Sequence, residues 1–165
     1  MSWKQFSPKL EVSTVFEIDP QLLRENGIRA ILTDLDNTLV RTFEPDPTPE
    51  VLAWVRELEN AGIQILILSN NSRQRVEPFA NQCGLPYIAR AKKPLNSGFR
   101  QAIKKLDVRM DQTMMIGDQL MTDIFGGNRM GLFTVWVKPI EQETDGRWTR
   151  INRMMERMVL RRLGK

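Results

Sequence analysis

The sequence predicts an α/β fold in which a parallel β-sheet is flanked by helices. Two observations carry this. Five short β-branched or aliphatic runs alternate with longer stretches of helical pattern, which is the signature of a parallel sheet wrapped by helices. The polar residues able to do chemistry fall just after those runs, where open α/β sheets bind their ligands. Strands are expected near Arg29 to Leu35, Ile63 to Ser69, Tyr87 to Ala89, Thr113 to Ile116 and Leu132 to Val137. Thr48-Pro49-Glu50 opens the first helix with a hydroxyl cap and a proline in the first turn. Leu52, Val55 and Leu58 then recur at helical spacing until Ala61-Gly62 ends it. Ser72 caps a second helix through Phe79 to Cys83, where Pro78 suits only the first turns or a kink. Leu95 to Leu106 and Gln119 to Met130 complete the set. Three parts are expected: an N-terminal segment (1–27) packing on the core, a catalytic domain (28–140), and a basic amphipathic C-terminal helix (141–165).

A chain of 165 residues fits one domain whose core needs no disulfide or metal to hold it. The single Cys83 excludes an intrachain disulfide and a cysteine-cluster zinc site, and the absence of histidine removes imidazole catalysis. Chemistry is left to carboxylates, hydroxyls and lysines. No stretch approaches the roughly 18 apolar residues of a membrane span, and the N-terminus has no apolar leader core. The expectation is a cytoplasmic protein. The net charge of +4 is uneven: Arg147 to Lys165 holds seven cations against one anion, Glu156, leaving 17 cations and 19 anions in residues 1–146.

Asp34-Leu35-Asp36-Asn37-Thr38 places two carboxylates two residues apart at the end of an apolar run. Residues i and i+2 of an extended chain point to one side, and carboxylates held close stay ionised only beside an opposing charge. A hard divalent cation such as Mg²⁺ supplies it and prefers oxygen ligands. Asp34 is placed to attack phosphorus as a nucleophile. Asp36 would act as acid and then base, and Thr38 would fix the Asp36 rotamer or cap a turn. Ser69 and Asn70 stand at a helix mouth whose amides and hydroxyl suit phosphate oxygens, although an ordinary N-cap has the same composition. Lys92-Lys93-Pro94 offers a fixed cation for a phosphoryl group, or simply solvated surface. Gly117-Asp118, with Asp123 five residues later, adds further carboxylates at a strand end.

Together these residues resemble the haloacid dehalogenase superfamily of Mg²⁺-dependent phosphatases. Asp34-x-Asp36-x-Thr38 looks like its first motif, Ser69 its second, Lys93 before Pro94 its third, and Gly117-Asp118 with Asp123 its fourth. The resemblance implies a Rossmann-like sheet with the first-motif strand central. It also implies Mg²⁺ on Asp34, the carbonyl of Asp36 and Asp118, with Asp123 in or just behind the shell. Only about ten residues separate Thr38 from Thr48, and Ser69 to Lys93 leaves room for one helix and one strand, so no cap domain is expected. An uncapped crevice suggests a bulky substrate or a partner that closes the site. Asp-Leu-Asp-Asn-Thr-Leu-Val, Ser-Asn-Asn, Lys-Pro, Gly-Asp-Gln-Leu-Met-Thr-Asp-Ile and the Gly126 to Gly131 run look like subclass IIIA and its YqeG-type group. That group is similar to the mitochondrial-type phosphatidylglycerophosphate phosphatases, which implies a phospholipid headgroup as substrate.

In the tail, Trp148, Ile151, Met155, Met158, Val159 and Leu163 fall on one helical face and Arg150, Arg153, Arg157 and Arg161 on the other. Such a helix would lie on an anionic membrane or pack its apolar stripe on the sheet. Two rivals to the lipid reading stay open. One is a phosphatase of soluble sugar phosphates or nucleotides. The other is a basic RNA- or ribosome-binding protein whose phosphatase site is secondary; no DNA partner is expected.

Overall fold

A computed structural model describes residues 2–141 and 147–164. In chain order the elements are β1 (Leu10–Val12), α1 (Pro20–Glu25), β2 (Ala30–Thr33), α2 (Pro49–Asn60), β3 (Gln64–Leu68) and α3 (Arg73–Cys83). There follow β4 (Tyr87–Ile88), α4 (Asn96–Leu106), β5 (Thr113–Gly117), α5 (Phe125–Arg129), β6 (Phe133–Val137) and α6 (Arg147–Arg162). The capping chemistry holds as the sequence suggests. Thr48 accepts the amide of Val51 and Ser72 accepts that of Arg75, satisfying donors at the starts of α2 and α3. Gly84 closes α3 in the left-handed conformation.

All six strands are parallel, in the order β1-β6-β5-β2-β3-β4. β2 is central: Ala30 to Thr33 are buried on both faces, with Ile31 level with Ile65 of β3 and Met114 of β5. Alternate residues feed two cores. Ile31, Ile65, Ile67 and Met114 meet α2 and α3 through Val55, Leu58, Val76 and Phe79. Leu32, Leu66, Leu68 and Met115 meet Phe99 and Ala102 of α4. The sheet is thus sandwiched between helical layers. No domain is inserted in the short connections after β2 and β3, so the carboxyl end of the sheet is uncapped.

Two features differ from expectation. The segment before residue 28 adds a sixth strand, since β1 pairs with β6 along Leu10–Val135 and Val12–Val137. A three-residue strand carries no periodicity of its own, and its partner lies more than a hundred residues away. Gln119 to Met130 is not one α-helix either: Leu120–Ile124 forms a π-type turn before α5. The turn carries Asp123 back so that its carboxylate accepts the Gln119 amide, 3.1 Å away. A third small cluster joins Phe6, Phe125 and Val159, with Phe6 stacked on Phe125 at 4.6 Å, and seats α6 beside α5.

Candidate active site

The chain runs from β2 to β3 and β4 on one side, then returns to place β5 on the other. The switch point therefore lies between the ends of β2 and β5, where crevices form in such sheets. Asp34 leaves β2 there and Asp118 leaves β5. Their carboxylates and that of Asp123 bring oxygens within 4.8 Å of one another. Asp118 and Asp123 are buried. Gly117 makes the approach of Asp123 possible, because a Cβ at that position would sit 2.1 Å from Asp123 Oδ2. The Trp136 indole donates to the Asp118 carbonyl at 2.8 Å and fixes the backbone.

Lys93 is the cation of the site. Its Nζ donates to Asp123 at 2.7 Å, to the Leu68 carbonyl at 2.7 Å and to Asp34 at 3.1 Å. Lys92 is exposed, so the geometry chooses between the paired lysines. Burial would lower the Lys93 ammonium, but Asp123 and Asp34 outweigh it and hold it above the ordinary lysine range. Burial, followed by the charges of Asp34 and Asp123, pushes Asp118 well above the usual carboxylate range. Burial also pushes Asp123 up to about 6 despite Lys93. Crowded carboxylates with raised proton affinity and only oxygen donors suit a hard divalent cation, which would take the place of the missing positive charge.

Asp36, Ser69 and Asn70 line the same crevice, of about 320 Å³. Ser69 is buried and its Oγ accepts the Asn71 amide at 3.0 Å, which leaves the hydroxyl proton free to donate. Asn70 spends its side chain on the Lys93 loop: its amide donates to the Lys93 carbonyl at 3.0 Å and its oxygen accepts the Lys93 amide at 2.7 Å. Asp36 accepts a guanidinium fork from Arg75 at 2.8 and 3.1 Å, with Asn71 and the Phe43 amide completing its shell. Thr38 directs its hydroxyl to Asp118, 3.4 Å away, rather than to Asp36. The chain reverses at Asn37, whose φ of 63° swings Thr38 toward the end of β5.

Arg75, Asn71 and Arg153 also reach the site, although none of them was among the expected site residues. Arg153, assigned to a solvated basic face, instead places a guanidinium nitrogen 3.3 Å from Asp118 Oδ2. Glu156 is buried and accepts the Leu120 amide at 2.8 Å, pinning α6 to the turn that carries Asp123. The signal was present: Glu156 is the one acid among seven tail cations. Of the expected apolar stripe, Val159 packs inward while Met155 and Met158 are exposed. The side chains of Trp148, Arg150 and Ile151 lie outside the described residues.

A crevice of this composition at this switch point defines a phosphoryl-transfer enzyme, and the comparisons agree. Residues 43–131 match the haloacid dehalogenase-like hydrolase family. A probable phosphatase, YqeG of Bacillus subtilis, is 41% identical over 157 residues, covering 95% of this chain and 91% of that protein. The chloroplastic phosphatidylglycerophosphate phosphatase 1 of Chlamydomonas reinhardtii is 28% identical over 142 residues, 81% of this chain and 53% of that protein. Among solved structures, the cobalt-bound deoxy-D-mannose-octulosonate 8-phosphate phosphatase of Haemophilus influenzae superposes with a TM-score of 0.57 at 17% identity, over 85% of this chain and 91% of that one. The last likeness concerns the fold alone. The chain belongs to the haloacid dehalogenase-like hydrolases, and within them it is a phosphatase acting on phosphoric monoesters.

Proposed function

We propose that the crevice dephosphorylates phosphatidylglycerophosphate to phosphatidylglycerol through a phosphoryl-aspartate on Asp34. The carrying observation is Asp34 at the end of the central strand, 3.1 Å from the buried Lys93 ammonium and beside the Asp118 and Asp123 carboxylates. An Asp34 oxygen bonds phosphorus as the ester P–O bond breaks, and Asp36 gives the leaving oxygen its proton. In the second half, Asp36 takes a proton from water as that water attacks the phosphoryl-aspartate, releasing phosphate and restoring Asp34. Arg75 and Asn71 orient Asp36 throughout. Lys93 and the Ser69 hydroxyl neutralise the equatorial phosphoryl oxygens, and Asn70 serves by fixing the Lys93 loop, with its backbone amide toward the same oxygens. Thr38 orients Asp118. Asp34, the Asp36 carbonyl and Asp118 would hold Mg²⁺, backed by Asp123, and the ion supplies the positive charge that lets a phosphate dianion approach these carboxylates.

The lipid assignment is supported by the name of the algal relative, which aligns at 28% identity, and by an uncapped crevice that leaves room for a bulky leaving group. No helix among the described residues is long and apolar enough to cross a membrane. Attachment would be peripheral: α6 exposes Met154, Met155 and Met158 among arginines, and Arg162 stacks over the exposed Trp3 at 5.6 Å. Residues 28–140 would form the catalytic unit and the two ends its accessory segments.

The test is Mg²⁺-dependent phosphate release from phosphatidylglycerophosphate in mixed micelles beside soluble sugar phosphates and nucleotides, with Asp34→Asn as control. Preference for the lipid, abolished by the substitution, is expected. Equal turnover of soluble esters would discard the lipid, and release independent of Asp34 would discard the mechanism.

A further inference from the structure

Arg153 stands where two cavities meet. It lines the carboxylate crevice together with Asp34 and Asp118, and also a neighbouring cavity of about 630 Å³ with Trp136, Lys138 and Arg157. Its guanidinium is incompletely satisfied. One nitrogen lies 3.3 Å from Asp118, another lies 3.7 Å from Glu156, beyond hydrogen-bond range, and Nε is buried with no partner. A buried donor without an acceptor destabilises the site, a cost that an incoming anion would relieve.

The electrostatics around it point the same way. Three acids line the larger cavity, Glu11, Glu17 and Glu156, of which Glu17 is spent on the Ser13 and Thr14 amides and Glu156 on the Leu120 amide. Lys138 and Arg157 have no ion-pair partner among the described residues. A divalent cation among Asp34, Asp118 and Asp123 would compete with Arg153 for Asp118 and repel it. The fork would then turn toward the larger cavity, on the side open to a leaving group.

We propose that Arg153 is a substrate-binding specificity residue. It receives a second anionic group, carried by the leaving group, while the scissile phosphate lies at Asp34. The favoured class is therefore a phosphomonoester that bears a second phosphate or phosphodiester. The inference rests on the crevice being the phosphatase site, and it supplies a selection that no other described side chain in the crevice offers, because Lys93 and Arg75 are already committed to Asp123, Asp34 and Asp36.

The test is calorimetric binding to the non-hydrolysing Asp34→Asn protein in Mg²⁺. Three probes are compared: glycerol 3-phosphate, which has one anionic group; glycerophosphoglycerol phosphate, which adds a soluble phosphodiester; and phosphatidylglycerophosphate in mixed micelles. Adding Arg153→Met is expected to weaken the two diester-bearing probes about 10- to 100-fold relative to glycerol 3-phosphate, the range for a charged hydrogen bond. Arg153→Lys, which keeps the charge and loses the fork, is expected to fall between, and also serves if the methionine variant folds poorly. Lys104→Gln, at an exposed position of α4 outside both cavities, is expected to leave the ratio unchanged. Equal weakening of all probes, no weakening, loss confined to the lipid probe, or absence of any preference for a second anion before Arg153 is changed would each overturn the proposal. Phosphate release by the parent protein is measured separately, so failure of the phosphatase reading is distinguishable from failure of this one.

Discussion

Gly117 and Lys93 are the two residues whose replacement would separate architecture from chemistry. A Cβ added at Gly117 would overlap the Asp123 carboxylate, so a methyl group there must displace that carboxylate rather than a flexible chain end. Gly117→Ala is expected to lower divalent-cation affinity and kcat/KM at least about tenfold while the far-ultraviolet circular dichroism is retained, since second-contact errors at metal sites cost 10- to 100-fold. Unchanged cation affinity by calorimetry would contradict this. Lys93→Met removes the one ammonium that, among the described residues, pairs with Asp34 and Asp123, and leaves Asp123 uncompensated. A loss of about 3–5 kcal/mol in denaturant unfolding is expected without added cation, and less with Mg²⁺, because the ion restores part of the missing charge. Identical losses with and without Mg²⁺ would contradict the shared charge balance. At this scale the sequence was legible where a residue stands just beyond its own strand, as Asp34, Ser69 and Asp118 do. Arg75 and Arg153 reach the site from helices, and nothing local to either residue records which helix face the tertiary packing turns inward.

Helices and strands were legible in proportion to how much of their stabilisation is local. The runs of β2, β3, β5 and β6 are dominated by apolar residues and their limits shift by at most two residues. β1 exists only through its register with β6, and the π-type turn only through the demand that Asp123 meet Gly117 and the Gln119 amide. The same holds for α6, whose docking depends on Glu156. Burial, against Arg153 and the Leu120 amide, raises that carboxyl to about 7. In the unfolded chain it titrates near the ordinary range for glutamate, about 4.3. Between those values the folded protein binds more protons, so this group's contribution to stability is full below about pH 4.3, declines as pH rises, and is lost above about pH 7. Glu156→Gln keeps an oxygen for the Leu120 amide and removes the titration. The parent is expected to lose more stability than the variant between pH 5 and pH 8, by on the order of 1–3 kcal/mol. Parallel melting-temperature profiles for the two proteins would contradict the assignment.

For the molecule as a whole, three carboxylates drawn to one switch point are a destabilising arrangement that the fold tolerates because a cation relieves it. The chain just beyond β2, β3 and β5, the loop after β4 and α6 all converge on that point, so charge balance there acts on much of the structure. A ligand that binds the folded chain and not the unfolded one stabilises by RT ln(1 + [L]/Kd), about 2.7 kcal/mol at a hundredfold excess over Kd. For a domain of this size each kcal/mol moves the midpoint about 2–4 °C. Saturating Mg²⁺ is therefore expected to raise the melting temperature by roughly 5–10 °C, with EDTA reversing it. Asp34→Asn removes one of the three ligand charges and should reduce the shift, with Asp118 and Asp123 still able to hold the ion at high Mg²⁺. The shift should grow as pH rises from about 5 to 8, because Asp118 and Asp123, raised by burial and by their neighbours, must shed protons before they bind the ion. A Mg²⁺ effect independent of both pH and Asp34 would mean that the ion binds elsewhere on the protein, and the carboxylate crevice would then have to carry its charge by Lys93 and Arg153 alone.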